Sequence, residues 1–233
     1  ITLRKAVTAS KNIPAVRVLE DIGAPRVIDF ARQMGIDSPL SPYLSLALGS
    51  FEVSLLELTA AYGVFANQGQ FVEPFCIARI AGPDDRTVWE PPVHRQMAMS
   101  RTSAAIMTDM LKGVIREGTG RRARDLGREL AGKTGTTNQY RDALFVGFSP
   151  ALAAGVWVGR DDHAPLGPYE TGARAALPIW KNFMKAVLES HRLGYFDFPD
   201  TLEQVYLDPD TGKRVSEDRG VPVRIRKKAA QNG

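Results

Sequence analysis

The fold is decided by the stretch Gly132-Lys133-Thr134-Gly135-Thr136-Thr137 and by residues 138–150, which follow it and read NQYRDALFVGFSP. The apolar residues that alternate through the second half of this stretch are typical of a β-strand. A tight Ser149-Pro150 turn then leads into another apolar run. Because such short links join antiparallel neighbours, we predict three antiparallel strands over residues 130–136, 143–148 and 152–158.

The lysine-bearing segment also carries groups suited to an anionic, peptide-like ligand. Lys133 supplies a compact positive charge with three donors, and Thr134 adds a hydroxyl for a carboxylate or a tetrahedral oxyanion. Gly135 has no Cβ, so another backbone can approach it closely, and the backbone N–H of Thr136 can then point at a carbonyl oxygen. A surface strand with a solvated lysine is the other interpretation, but it leaves Gly135 unexplained. The sequence therefore predicts an edge strand that receives a peptide.

A second short motif, Ser10-Lys11-Asn12, lies far upstream, and long segments around both motifs match one family. S-x-N and K-T-G are two of the three signatures of penicillin-recognising acyl-serine enzymes. From about Thr2 to about Leu193, the chain resembles the transpeptidase domain of class A, bifunctional penicillin-binding proteins. The segments that carry the resemblance read TLRKAVTASKNIPAVRVLEDIG (residues 2–23), LALGSFEVSLLELTAAYGVFANQG (46–69), MTDMLKGVIREGTGRRA (107–123) and AGKTGTTNQYRDALFVGFSPALAAGVWVGRDD (131–162).

The resemblance implies a fold and a reaction. The fold class is α/β of the α+β type, shared by penicillin-binding transpeptidases and serine β-lactamases, with an antiparallel sheet flanked by helices and a helical subdomain. We expect residues 1–193 to form part of the transpeptidase domain, and residues 194–233 to form a C-terminal extension with a short hairpin and a loose basic tail. In the family's reaction a serine attacks the penultimate D-Ala carbonyl of a stem peptide, and the terminal D-Ala leaves.

Two catalytic candidates follow from the resemblance. Ser10 matches the S-x-N serine, which is expected to relay a proton to the leaving amine. Lys133 is expected to hydrogen-bond Ser10 and to hold the substrate carboxylate. Asn12 matches the asparagine of the motif and is expected to bind the acyl side chain of the substrate. Without the resemblance, Ser10 and Asn12 would be interpreted as a turn between two helices, with side chains that cap the backbone.

The remaining substrate-binding candidates lie on the lysine-bearing strand. Thr134 is expected to bind the substrate carboxylate through its hydroxyl, and Thr136 is expected to give one backbone N–H of the oxyanion hole. Gly135 would admit a substrate that lies alongside as an added edge strand, and Thr137 would line the same groove.

The third signature, the nucleophile motif S-x-x-K, is not found in the sequence. None of the eleven serines has a lysine three positions later. Thr8-Ala9-Ser10-Lys11 has the spacing with a threonine, but it overlaps the S-x-N motif. In the family the nucleophile lies N-terminal to S-x-N, so we expect it upstream of Ile1 and expect the 233 residues alone to be inactive. The resemblance also implies an upstream glycosyltransferase domain and a single membrane anchor, with this domain on the outer side of the bacterial cell membrane.

Two other classes of function are also compatible with the sequence. A D,D-carboxypeptidase or a serine β-lactamase shares the fold and the motifs, although no segment resembles the dedicated base that a β-lactamase needs for deacylation. A non-catalytic penicillin- or peptidoglycan-binding module is the alternative from a different class. An S-x-x-K motif in the coding sequence upstream would favour the enzyme, and an intact domain without it would favour the binding module.

Composition agrees with a globular domain and argues against some partners. The chain is 44% apolar and 24% charged, with a net charge of +4. No nucleic-acid motif and no interleaving of aromatic and basic residues accompany the charge, so no nucleic acid is expected. The resemblance implies peptidoglycan stem peptides and β-lactams as ligands, and no cofactor. Asp161-Asp162-His163 is predicted to be a polar turn rather than a metal site, and Cys76 a small buried residue in a strand.

Two basic clusters stand out, one of them next to the lysine-bearing strand. The first contains Arg121, Arg122, Arg124 and Arg128, and the second Arg224, Arg226, Lys227 and Lys228. Both are typical of a solvated surface. The first would alternatively steer an anionic peptide towards the strand.

Helix start and stop signals and apolar spacing predict the remaining elements. The last predicted helix would bury Ile179, Phe183, Val187 and Leu188 against the sheet. A hairpin is predicted around the Gly82-Pro83-Asp84-Asp85 turn, from strands over 71–80 and 87–90, and a smaller one over the segment LDPDTGKRV (residues 207–215); the last ten residues are predicted to be loose. The predicted helices cover residues 2–9, 14–22, 25–34, 54–65, 102–117 and 178–192.

Overall fold

The computed structural model of the protein describes residues 1–191 and 194–227. Within those ranges six α-helices form: Leu3–Thr8 (α1), Asn12–Ile22 (α2), Ala24–Gln33 (α3), Leu55–Ala66 (α4), Arg101–Arg116 (α5) and Leu177–Ser190 (α6). Each lies within two residues of a predicted helix at both ends. The predicted end of the last helix at Arg192 lies outside the described residues.

Polar side chains explain where several helices begin. The Thr2 hydroxyl accepts a hydrogen bond from the Lys5 backbone N–H at the start of α1. The predicted capping box of α4 is present, because Ser54 and Glu57 each bind the other's backbone N–H. Such contacts satisfy donors that the first helical turn otherwise leaves free.

Nine β-strands occur in the same described ranges, in small antiparallel sheets. They are Gln70–Val72 (β1), Ile80–Ala81 (β2), Thr87–Trp89 (β3), Arg95–Met97 (β4), Ala131–Thr136 (β5), Ala143–Phe148 (β6), Ala153–Val158 (β7), Leu202–Leu207 (β8) and Val221–Arg226 (β9). The three predicted central strands are confirmed as the sheet β5-β6-β7. Lys133 pairs with Val146 and Gly135 with Leu144, so the lysine-bearing strand is at the edge of this sheet.

The helix α6 covers one face of this sheet, but not with the predicted side chains. Trp180 is fully buried, packs edge-on against Phe145 with ring centroids 4.9 Å apart, and donates from Nε1 to the Ala154 carbonyl at 3.0 Å. Ile179 and Phe183, by contrast, are about half exposed. The predicted apolar stripe was wrong, because α6 carries apolar residues on two faces. The face with Trp180 packs on the sheet, where the indole contacts the Phe145 ring and the Ala154 carbonyl.

The opposite face of the sheet packs against α4 and α5. Phe148 is fully buried there, in contact with the rings of Tyr62 and Phe65 on α4. Leu111 and Val114 of α5 belong to the same apolar cluster. Phe145 and Phe148 therefore fix helices on both sides of the sheet, since they lie an odd number of residues apart on one strand.

The hairpin predicted around residues 82–85 is present but short. β2 and β3 pair across the turn, whereas β1 pairs with β4. The predicted strand over 71–80 was wrong, because residues 73–79 run outside any ladder and most are exposed. Pro74 cannot donate to a ladder, which is consistent with the break. Cys76 lies in this exposed segment, so its predicted burial in a strand was also wrong.

The C-terminal strands β8 and β9 pair with each other over six residues and dock onto the helical part. The small predicted hairpin is confirmed as a turn closed by the Leu207–Arg214 pair. Asp109 of α5 binds the Arg4 side chain of α1 and accepts a hydrogen bond from the Arg224 backbone N–H at 2.9 Å. The predicted loose tail was wrong for Arg224 and Arg226, which lie in β9, and its final part, 228–233, lies outside the described residues.

None of the helices in the described ranges is both long and apolar enough to cross a bilayer.

Candidate active site

Ser10 is held in a strained turn at the end of α1. Its φ of 52° lies in the left-handed region that glycine tolerates better than serine. The Lys11 backbone N–H donates to the Ala6 carbonyl at 2.8 Å, and the Ser10 N–H donates to Val7 at 3.2 Å. This pattern is a Schellman motif, which usually has glycine where Ser10 lies. A strained residue over-determined by its surroundings is a candidate for a functional role.

Lys133 of β5 meets Ser10 in space. Its Nζ donates to Ser10 Oγ at 2.7 Å and to the Thr134 carbonyl at 3.0 Å. The structure thus brings together the two residues that the sequence selected as catalytic candidates. Lys133 makes no ion pair with any carboxylate of the described residues, so its charge is available to an anion.

Burial lowers the pKa of Lys133 to about 8. The cause is desolvation, which disfavours the charged ammonium. At neutral pH the ammonium form still predominates. A carboxylate bound beside it would compensate for the hydration that the ammonium loses through burial. The site is therefore suited to an anionic group.

The hydroxyl of Thr134 is already engaged. It lies 2.7 Å from the hydroxyl of Thr119, and either oxygen can be the donor. Thr119 belongs to Gly118-Thr119-Gly120, the turn after α5. From the sequence this turn could be identified only as the end of a helix. The contact between the turn and β5 depends on tertiary packing. Thr119 is thus a site residue that the sequence did not select.

Gly135 and Thr136 pack against the π-helical turn Gly172–Ala176. A Cβ on Gly172 would lie 2.4 Å from the Gly135 carbonyl oxygen, so the glycine at position 172 permits this close approach. The Gly172 backbone N–H donates to Thr136 Oγ1 at 3.0 Å. The Thr136 side chain therefore fixes the strand against this turn.

Thr137 and Asn12 lie at the margins of the site. The Thr137 hydroxyl donates to Asp142 Oδ2 at 3.1 Å and accepts from the Asp142 N–H at 2.8 Å, so it stabilises the turn between β5 and β6. Asn12 is the first residue of α2, and its exposed side chain lies two positions after Ser10. The Thr137 hydroxyl therefore has no proton left to donate to another group.

The acidic turn at residues 161–163 follows β7 directly, as predicted. Arg160 Nε and Nη2 both bind Asp162 at 3.0 Å, and this pairing lowers the pKa of Asp162 to about 2. No group of three or more metal-ligating side chains occurs in the part of the chain that the structure describes.

Comparison with known proteins shows the family of the chain. Residues 1–185 match the family model of the penicillin binding protein transpeptidase domain. The chain is 42% identical over 224 residues to penicillin-binding protein 1A of Aquifex aeolicus, which covers 96% of this chain and 31% of that protein. It is 40% identical over 196 residues to penicillin-binding protein 1A of Neisseria cinerea, which covers 81% and 25%. The chain thus spans less than a third of the length of these relatives.

Structural comparison gives the same result. The fold is similar to the crystal structure of penicillin-binding protein 1A from Haemophilus influenzae, with a TM-score of 0.87 over 97% of this chain and 40% of that chain, at 26% identity. The expected fold class, helices around an antiparallel sheet as in penicillin-binding transpeptidases, is confirmed. With the sequence match over residues 1–185, this shows that the chain belongs to the family of penicillin-binding-protein transpeptidase domains.

Proposed function

We propose that this chain is the substrate-binding portion of a serine-type D,D-transpeptidase that cross-links peptidoglycan stem peptides and is acylated by β-lactams. The observation that carries the proposal is the 2.7 Å hydrogen bond from Lys133 Nζ to Ser10 Oγ, which joins two motifs 123 residues apart. A partly buried ammonium in contact with a hydroxyl can both hold a carboxylate and take part in passing a proton. Acyl transfer from a peptide with a free C-terminal carboxylate needs both tasks.

The proposed proton path runs through Ser10. A serine oxygen forms a bond to the penultimate D-Ala carbonyl carbon, and the C–N bond to the terminal D-Ala then breaks. The proton of the attacking serine passes by way of the Ser10 hydroxyl to the leaving nitrogen. Because Lys133 donates to Ser10 Oγ, the proton of Ser10 itself is free to point at that nitrogen. An amine from a neighbouring stem peptide then takes the acyl group.

The remaining residues would bind and orient the peptide. Lys133 and Thr134 would hold its terminal carboxylate, and the backbone N–H of Thr136 would stabilise the oxyanion. Gly135 would let the peptide backbone approach the edge of the sheet. Asn12 would bind the acyl side chain. Thr137 would shape the groove, since its hydroxyl proton is used by Asp142.

The attacking serine is proposed to lie in a polypeptide segment outside these 233 residues, in an S-x-x-K motif. Support comes from the eleven serines of the chain, none of which has a lysine three positions later. A glycosyltransferase domain and a single-pass membrane anchor are proposed for the same longer protein, with the transpeptidase domain on the outer side of the bacterial cell membrane. We propose further that residues 1–193 are part of this domain and residues 194–233 an extension of it.

The test uses the full-length polypeptide that contains this chain, beside the 233 residues alone. We expect a fluorescent penicillin to give a covalent band with the full-length protein and no band with the 233 residues. We also expect the full-length protein to release D-Ala from a stem pentapeptide and to form cross-linked dimers. A full-length protein that stays unlabelled would contradict the proposal.

The same experiment distinguishes the other functions. A non-catalytic penicillin-binding module, which the lack of an S-x-x-K serine in this chain would favour, predicts reversible binding without a covalent band. A D,D-carboxypeptidase predicts release of D-Ala without cross-linked dimers. A serine β-lactamase predicts rapid loss of the label as the acyl-enzyme hydrolyses.

A further inference from the structure

The turn Gly118-Thr119-Gly120 lies between the helix α1, which precedes Ser10, and the strand β5, which carries Lys133. Its Thr119 backbone N–H donates to the Thr8 carbonyl at 3.3 Å. A Cβ on Gly118 would lie 2.3 Å from that same carbonyl oxygen, so only glycine allows the turn to approach α1 this closely. The Gly120 N–H donates to Val114 at 3.0 Å and thereby ties the turn back to α5. The position of the Thr119 side chain is therefore fixed by two helices.

The Thr119 hydroxyl contacts the Thr134 hydroxyl at 2.7 Å. Each hydroxyl has one proton to donate. If Thr134 donated that proton to Thr119, it would have none for a ligand carboxylate, which can only accept. Binding of a carboxylate at Thr134 therefore requires Thr119 to be the donor of the pair. In that direction, Thr119 polarises the Thr134 hydroxyl and aims its proton away from the turn.

We propose that Thr119 is a positioning residue that sets the direction of the Thr134 hydroxyl. The site thereby becomes selective for ligands with a free carboxylate; this inference rests on the proposed function. Lys133 attracts such a ligand through its charge, which acts in all directions. Thr134, oriented by Thr119, adds a hydrogen bond of defined direction, so the carboxylate must lie at one position to accept it. A ligand whose carboxylate is esterified gains little from this pair.

The experiment compares two probes on the full-length protein: a fluorescent penicillin with its free carboxylate, and the methyl ester of the same compound. Thr119→Val removes the hydroxyl at almost constant volume, and Thr119→Ser restores it. We expect Thr119→Val to lower the acylation rate constant for the free acid about fivefold, as for one lost hydrogen bond between neutral groups. The rate constant for the ester should change by less than about twofold, and Thr119→Ser should remain close to wild type for both.

The chain provides a matched control. Thr102 and Thr201 form another pair of threonine hydroxyls, 3.2 Å apart and exposed, in which Thr102→Val removes the same kind of hydrogen bond. That variant should label like wild type with both probes. Thr119→Ala serves as a second variant without the hydroxyl, in case valine disturbs folding.

The outcomes separate this inference from the proposed function. Equal losses of rate for the acid and the ester in Thr119→Val and Thr119→Ala, with normal labelling of the wild type, would overturn the inference alone. A wild-type protein that neither probe labels would overturn the proposed function and the inference with it. A loss confined to the free acid, restored by Thr119→Ser, supports both.

Discussion

Lys133 Nζ donates to Ser10 Oγ at 2.7 Å and makes no ion pair within the described residues. This partly buried ammonium can therefore contact both the Ser10 hydroxyl and an anion that binds beside it. The strained turn at Ser10 and the edge position of β5 are the two structural conditions for this contact.

Loss of the Lys133 charge should abolish recognition of the carboxylate. Lys133→Met keeps a long apolar side chain but removes both hydrogen bonds and the charge. We expect the acylation rate constant of the full-length protein with a free-acid penicillin to fall by about ten- to a hundredfold, the effect of losing a charged hydrogen bond. Lys5→Met, in the helix α1 and paired with the exposed Asp210, is the control and should label normally. Equal labelling of Lys133→Met and wild type would contradict this role.

The low pKa of Lys133 gives a pH dependence. The ammonium predominates below pH about 8 and is lost above it. Acylation by a free-acid penicillin should therefore decrease through this range and be about tenfold slower at pH 9 than at pH 7. The methyl ester should show a much smaller change. Lys133→Arg should remove the decrease, because a guanidinium does not deprotonate in this range. A flat profile for the free acid would show that Lys133 does not titrate there.

Relief of the strain at Ser10 should stabilise the fold while it removes the proton relay. Ser10→Gly should raise the unfolding free energy by about 1 kcal/mol, or the melting temperature by about 2–4 °C, since glycine tolerates a positive φ. Ser10→Ala removes the same hydroxyl but keeps a Cβ, so it is the matched control and should not be stabilised. Thermal melts of both variants check this. A glycine variant that melts no higher than the alanine variant would show that the turn is not strained.

The buried pair Arg4–Asp109 should contribute strongly to stability. Both side chains are largely buried, and Asp109 also holds the Arg224 backbone N–H of β9. Arg4→Met would leave Asp109 as an unpaired buried charge, at a cost of about 3–5 kcal/mol. Urea unfolding measures this cost. The exposed pair Arg101–Asp197 is the control, and Arg101→Met should change stability by less than about 1 kcal/mol. Similar effects of the two substitutions would refute the assignment.

The central sheet could be predicted because its signals are local. β5, β6 and β7 follow one another through short links, and β6 and β7 each have their own apolar pattern. The hydroxyl and lysine groups could be selected because their motifs have fixed spacing in the family. The contact between Ser10 and Lys133 was an expectation from the resemblance, and the geometry brings these two residues together.

Other features depend on tertiary packing and could not be predicted in the same way. α6 has apolar residues on two sides, and only the position of Phe145 and the Ala154 carbonyl selects the side of Trp180. The apolar residues around Cys76 suggested a buried strand, but no strand pairs with this segment in the described part of the chain, and Cys76 is exposed. Thr119 belongs to the site because its hydroxyl contacts that of Thr134. No sequence pattern indicates that these two segments lie next to each other.

The most direct test of the central claim is the intact mass of the full-length protein after incubation with penicillin, followed by peptide mapping. We predict one covalent penicillin adduct per molecule, on a serine of an S-x-x-K motif outside residues 1–233, and much slower formation of this adduct in Lys133→Met. An adduct on Ser10, or no adduct at all, would contradict it.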